Sequence, residues 1–250
     1  MRPMEPIGAS YQSPALITKA QELADYTKTL SVKQLEECMQ FSNTMAIKTH
    51  AILQEWNTDP ATARPAIDSF LGDIYSGLQV QSLSSEDREY ANSHLYILSG
   101  LYGVLRALDG IHPYRLEMGY KLPDEPYKNL YHYWGEALAA QLPNKQPIIN
   151  VSAVEYTKAV LPHLSTAQVI TPKFLTISTK TGKPTFVTVH TKIARGAFAR
   201  WLIANRITSI SQLSDFSDLG YRYDAQLSTD TEPVYICESF QGLGLSVRLT

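Results

Sequence analysis

Residues 98–119, LSGLYGVLRALDGIHPYRLEMG, set Arg106, Asp109, Arg115 and Glu117 in a run dominated by apolar, aromatic and glycine residues. A guanidinium or carboxylate removed from water needs a partner. Four such groups in this setting read as charged lining, able to pair among themselves and fix the shape of a cleft. A second signal lies downstream. Between Tyr156 and Ser214 there is no Asp or Glu, while Lys158, Lys173, Lys180, Lys183, Lys192, Arg195, Arg200 and Arg206 are cationic. The rest of the chain holds 14 basic residues against 24 acidic ones. Such asymmetry suits binding of an anion or a nucleic-acid backbone. The competing reading is that these cations pair with carboxylates brought from elsewhere in the fold.

Other chemistries lack their residues. No GxxxxGK[ST], GxSxG or GxGxxG occurs, which removes support for a phosphate loop, a hydrolase elbow and a dinucleotide fold. The six histidines are scattered, none four residues from another, so no metal site is expected, and no cofactor. Cys38 and Cys237 are too few for a disulfide framework and lack CxxC spacing, as suits packing residues in a reducing compartment. No run of about 18 apolar residues exists, so no membrane span or membrane partner is expected. The opening MRPMEPIGAS lacks an apolar segment and a cleavage pattern, which argues against secretion. With 250 residues and 44% hydrophobic composition, one compact domain over 1–250 is expected.

The elements that would position these groups change character along the chain. Ser31 and Gln34 form a capping-box pattern, and Val32, Leu35, Met39, Met45, Ile52 and Trp56 share a stripe, predicting a helix over 32–55. A short helix is expected after Pro65, and another through SSEDREYANSHLYIL. The second half turns toward strands: PIIN (147–150), VITPKFLTIS (169–178) and TFVTVH (185–190), the last two joined as a hairpin through TKTGKP, then PVYIC (233–237). Between these strands, TKIARGAFARWLIANRI predicts a helix with Ile193, Phe198, Trp201, Leu202 and Ile207 inward and Arg195, Arg200 and Arg206 outward. The mixture predicts an α+β fold, helical first and then a mixed sheet with helices.

In chain order, YQSP (11–14), FLGDIYSGL (70–78), LSGLYGVLRALD (98–109), PYRLEMG (113–119), YHYWGE (131–136), VEYTKAV (154–160) and TKIARG (191–196) resemble the YaaA family of bacterial peroxide-stress proteins. The resemblance implies a cytoplasmic single-domain α+β protein that limits iron-dependent oxidative damage. It also implies DNA binding through a basic cleft and a helix-hairpin-helix element, and it brings no established catalytic residues. On that reading, a helix over about 85–97 is followed by the turn Ser99–Gly103 and a second helix from Val104. Gly100 and Gly103 would then let backbone N–H groups approach a phosphate. The alternative, that the two glycines only permit a tight turn against the core, stays open.

The resemblance further implies that these groups converge, with Gly100, Gly103, Arg106, Arg115, Lys158, Lys192, Arg195 and Arg200 holding DNA phosphates or a small anion. A second function fits the same residues: an enzyme acting on a small anionic or nucleobase-like metabolite. There Lys192 and Arg195 would hold the anion, and Glu117, Tyr156 and Lys158 would form the catalytic set, with Glu117 or Tyr156 as general acid or base. The chain departs from the family pattern at three places. MRPMEPIGAS replaces an apolar strand running into Ser-Pro-Ala-Lys-Thr-Leu, Val154 stands where the family has Asp, and Cys237 lies near the place of a basic residue.

Overall fold

The computed structural model describes residue 1 and residues 11–243, so most of the divergent N-terminal stretch lies outside the described residues. The chain opens with α1 (Ile17–Thr29), α2 (Val32–Met39) and α3 (Asn43–Glu55), then β1 (Arg64–Pro65), α4 (Ala66–Ser69), α5 (Asp73–Leu78) and α6 (Ser85–His94). There follow β2 (Tyr96–Ser99), β3 (Gly103–Arg106), β4 (Gly110–Ile111), α7 (Leu130–Trp134), β5 (Ile148–Ile149) and α8 (Val154–Val160). Last come β6 (Val169–Ile170), β7 (Lys173–Ile177), β8 (Pro184–Thr185), α9 (Thr188–Ala204), β9 (Tyr221–Tyr223) and β10 (Val234–Cys237). The fold class is α+β, as the sequence predicts.

Two compact units share these elements. The first comprises residues 1–69, 95–142 and 153–165; the second comprises 70–94, 143–152 and 166–250. In the first unit the capping box at Ser31 forms: Gln34 N–H donates to Ser31 Oγ (3.3 Å) and Ser31 N–H to Gln34 Oε1 (2.9 Å). The single helix expected over 32–55 is instead two, because Gln40 takes a left-handed conformation (φ 53°) and Ser42 caps a new start by accepting from Met45 N–H. Burying Leu23, Leu35, Leu53, Ile67, Tyr102 and Trp134 completely supplies the main stabilisation of this unit.

Residues 96–106 correct the helix-hairpin-helix expectation. They form an antiparallel β-hairpin, paired from Tyr96↔Arg106 to Ser99↔Gly103. Half-buried Tyr96 and Leu98 alternate with buried Ile97 and Ser99, the period of a strand and not of the helix expected through Leu98. Ser99 Oγ closes the turn by accepting Tyr102 N–H (2.8 Å) and sharing a hydrogen bond with the Tyr114 hydroxyl (2.6 Å). Gly103 sits at φ +72°, where a Cβ would lie 2.8 Å from the Trp134 ring.

The second unit is built on a mixed four-stranded sheet ordered β8-β7-β10-β9. β7 and β10 run parallel, and the other pairs are antiparallel. α9 lies against this sheet: Thr191 Oγ1 donates to the Phe174 carbonyl (3.1 Å), and the Phe198 ring meets Phe174 edge-on at 5.7 Å. On its other side α9 meets α5 so closely that a Cβ at Gly196 would fall 1.8 Å from the Ile74 carbonyl oxygen. The β7–β8 hairpin forms as expected, but the strand expected over 185–190 stops at Thr185 and α9 begins at Thr188. Ile193 and Phe198 are buried as expected, whereas Arg195, Arg200 and Arg206 are only half exposed.

Candidate functional site

In the first unit the charged groups of the glycine-rich motif follow separate paths. Arg106 donates its backbone N–H to Asp109 Oδ2 (2.8 Å), while its guanidinium lies over the Tyr96 ring at 4.2 Å. Asp109 is 3% exposed, and burial pushes its carboxyl up to about 6, outweighing the Arg106 N–H bond and the Arg106 charge that pull it down. This carboxylate shapes the turn and faces no open surface.

Arg115 and Glu117 are both exposed and two residues apart. The Arg115 guanidinium stacks over Phe41 at 4.7 Å, and Phe41 meets Tyr120 edge-on at 5.9 Å. Glu117 Oε2 accepts the Tyr156 hydroxyl at 2.6 Å, a short charge-assisted bond. Burial first, then the neighbouring Tyr114 and the Glu117 and Glu155 carboxylates, hold the Tyr156 phenol far above its ordinary range, so it stays a donor. Tyr120 and Tyr131 are raised too, chiefly by burial, with Glu117 and Glu155 contributing respectively. The result is a patch of phenols and two carboxylates beside one guanidinium, able to orient a ligand by hydrogen bonds.

Lys158 is exposed on α8, three positions beyond Glu155 and so one turn along from it on the same side, while Tyr156, two positions before it, lies on a different side of the helix. Gly100 and Gly103 are buried: Gly100 accepts Trp134 Nε1–H on its carbonyl (3.0 Å), and a Cβ on Gly100 would lie 2.3 Å from the Leu116 carbonyl oxygen. Both serve the packing of the hairpin against the core, and neither offers backbone to a phosphate. Sequence reading missed Tyr120, Glu155 and Phe41. Glu155 lies inside the quoted VEYTKAV and Tyr120 directly follows PYRLEMG, whereas nothing in the sequence ties Phe41 to Arg115.

In the second unit, Lys192 and Arg195 stand three residues apart on α9, one turn along the same side. Lys192 is exposed. Arg195 is half buried, its Nε has no hydrogen-bond partner among the described residues, and burial lowers its pKa from the ordinary guanidinium value. Arg200 is engaged by Ser82 Oγ (2.9 Å), Arg206 by Asp87 (2.7 Å) and Lys173 by Glu232 (2.7 Å). The acid-free segment therefore divides into cations already partnered and cations open to an external anion. Among the described residues no cluster of His, Cys, Asp and Glu could hold a metal ion, and no helix is long and apolar enough to cross a membrane.

These features define an α+β protein of two compact units, with cations on one helix that form no ion pair among the described residues and a phenol–carboxylate patch built from its glycine-rich motif and α8. The chain belongs to the family described as peroxide stress protein YaaA, whose model matches residues 2–227. It is similar to a UPF0246 protein of Salinispora tropica, 53% identical over 248 residues, covering 99% of this chain and 94% of that one. A UPF0246 protein of Burkholderia lata is 41% identical over 236 residues, covering 90% of each.

Proposed function

We propose that this protein acts in the cytoplasm during peroxide stress by binding DNA through its phosphate backbone without regard to sequence, limiting oxidative damage there. The observation that carries this reading is Arg195. A guanidinium half withdrawn from water with its Nε unpartnered costs free energy that a bound anion would offset, and Lys192 adds a second charge one turn away. Lys180 and Lys183 extend the same acid-free stretch. Phosphate contacts of this kind fix a protein on DNA without reading bases. The test is duplex binding across a salt series. Lys192→Ala and Arg195→Ala should each weaken binding uniformly across sequences and reduce the salt slope by about one. Parent-like binding by both variants at low salt removes the reading.

A second reading is favoured by the 2.6 Å bond between Tyr156 and Glu117. Held by the Tyr156 hydroxyl, the Glu117 carboxylate can take a proton from, or as the acid return one to, a small anionic or nucleobase-like metabolite, with Arg115 nearby as the charge that orients the ligand.

A further inference from the structure

The turn between β7 and β8 is held rigidly by one residue. Ser178 N–H donates to the Lys183 carbonyl (2.9 Å), the Ser178 carbonyl accepts Gly182 N–H (2.8 Å), and its hydroxyl accepts the N–H groups of Lys180 and Thr181 (each 3.3 Å). Gly182 supplies the left-handed step at φ +64°. Lys180 and Lys183 are exposed on this turn, and neither forms an ion pair among the described residues. Phe186, the first residue after β8, is 60% exposed. β8 is an edge strand, so one side of the hairpin is unpaired by any other strand of the sheet.

A single exposed apolar side chain needs no explanation. Here, however, an open aromatic ring follows two lysines without an ion pair among the described residues, on a pre-shaped turn, with no carboxylate between Tyr156 and Ser214 to repel a phosphate. Single-stranded DNA asks for this combination: an aromatic face on which a base can stack, and cations to neutralise the adjoining backbone. A duplex keeps its bases stacked on each other and offers such a ring nothing without being unstacked.

We propose that the hairpin of residues 178–186 is a stacking arm for single-stranded DNA, in which Phe186 takes an unpaired base on its ring while Lys180 and Lys183 neutralise flanking phosphates. This rests on the DNA reading above and adds to it a preference for unpaired bases. Because the arm is ordered before it binds, little conformational entropy is lost on docking.

The experiment compares fluorescence anisotropy titrations of the full chain with oligothymidine and with duplex of the same length, across a salt series. Phe186→Ala should weaken oligothymidine binding at least about fivefold with an unchanged salt slope, leaving duplex binding within about twofold, since stacking on an aromatic ring is worth that much per base. Phe186→Tyr should restore it, and Lys180→Ala and Lys183→Ala should each flatten the oligothymidine slope by about 0.7. Melting temperatures matching the parent check that the variants fold. If Phe186→Ala leaves oligothymidine binding unchanged, or weakens both forms equally, the arm is refuted. In that case duplex binding that still falls with Lys192→Ala keeps the broader DNA reading alive. No binding of either form by the parent overturns both.

Discussion

Replacing Asp109 with Asn should stabilise the protein at neutral pH. The Asp109 carboxyl is 3% exposed and is pushed up to about 6 from an ordinary 3.8, burial being the largest cause. Asn presents the same carbonyl-type acceptor to Arg106 N–H, now bound by Oδ2 at 2.8 Å, so the turn is kept while the charge is removed. A raised carboxyl means the folded chain holds the proton more tightly than the unfolded chain. Stability of the parent therefore falls as pH rises from about 4 to about 6 and is level above that, as far as this group is concerned. With about two units at about 1.4 kcal/mol each, the ionised form costs at most about 3 kcal/mol at neutral pH. Denaturant unfolding of parent and variant at a series of pH values measures it. The variant should gain about 1–3 kcal/mol near pH 7, and the gain should vanish near pH 4. A variant less stable than the parent near neutrality, or a difference that does not change with pH, refutes the reasoning.

Two further substitutions test the glycine-rich motif. Gly103→Ala should cost more than about 1 kcal/mol, because φ +72° disfavours any side chain and the added methyl would meet the Trp134 ring at 2.8 Å. A melting temperature equal to the parent's contradicts this. Glu117→Gln changes an exposed side chain, so the melting temperature without ligand should stay put, while any rise in melting temperature with inorganic phosphate or purine nucleobases should be lost. Retention of such a rise in the Gln variant excludes Glu117 from ligand binding.

How much was legible depended on whether the information was local. The Ser31 cap, the β7–β8 hairpin and the α9 helix followed from side chains and turn residues acting within a few positions. The break at Gln40 escaped because the apolar stripe continues across it, and only the left-handed backbone there splits the helix. The hairpin at 96–106 was hidden for a related reason. Its glycines fit a phosphate-binding turn and a packed turn equally well, and Trp134, Leu138 and Leu116, distant in sequence, decide between them.

The candidate site divides along the same line. Chain order alone placed Lys192 and Arg195 on one helix turn and left them without nearby acids, since helix spacing and charge runs are written in the sequence itself. It could not show that Arg195 Nε would be buried unpartnered while Arg200 and Arg206 would be taken up by Ser82 and Asp87, more than a hundred residues earlier. The family resemblance put Tyr156 and Glu117 in one site, but residue spacing could not join them across 39 positions, nor lift Asp109 out of water. Periodicity, capping and turn chemistry act between neighbours and are fixed by residue order. Desolvation and long-range hydrogen bonding depend on which distant surfaces close over a group, and that is decided when the chain packs.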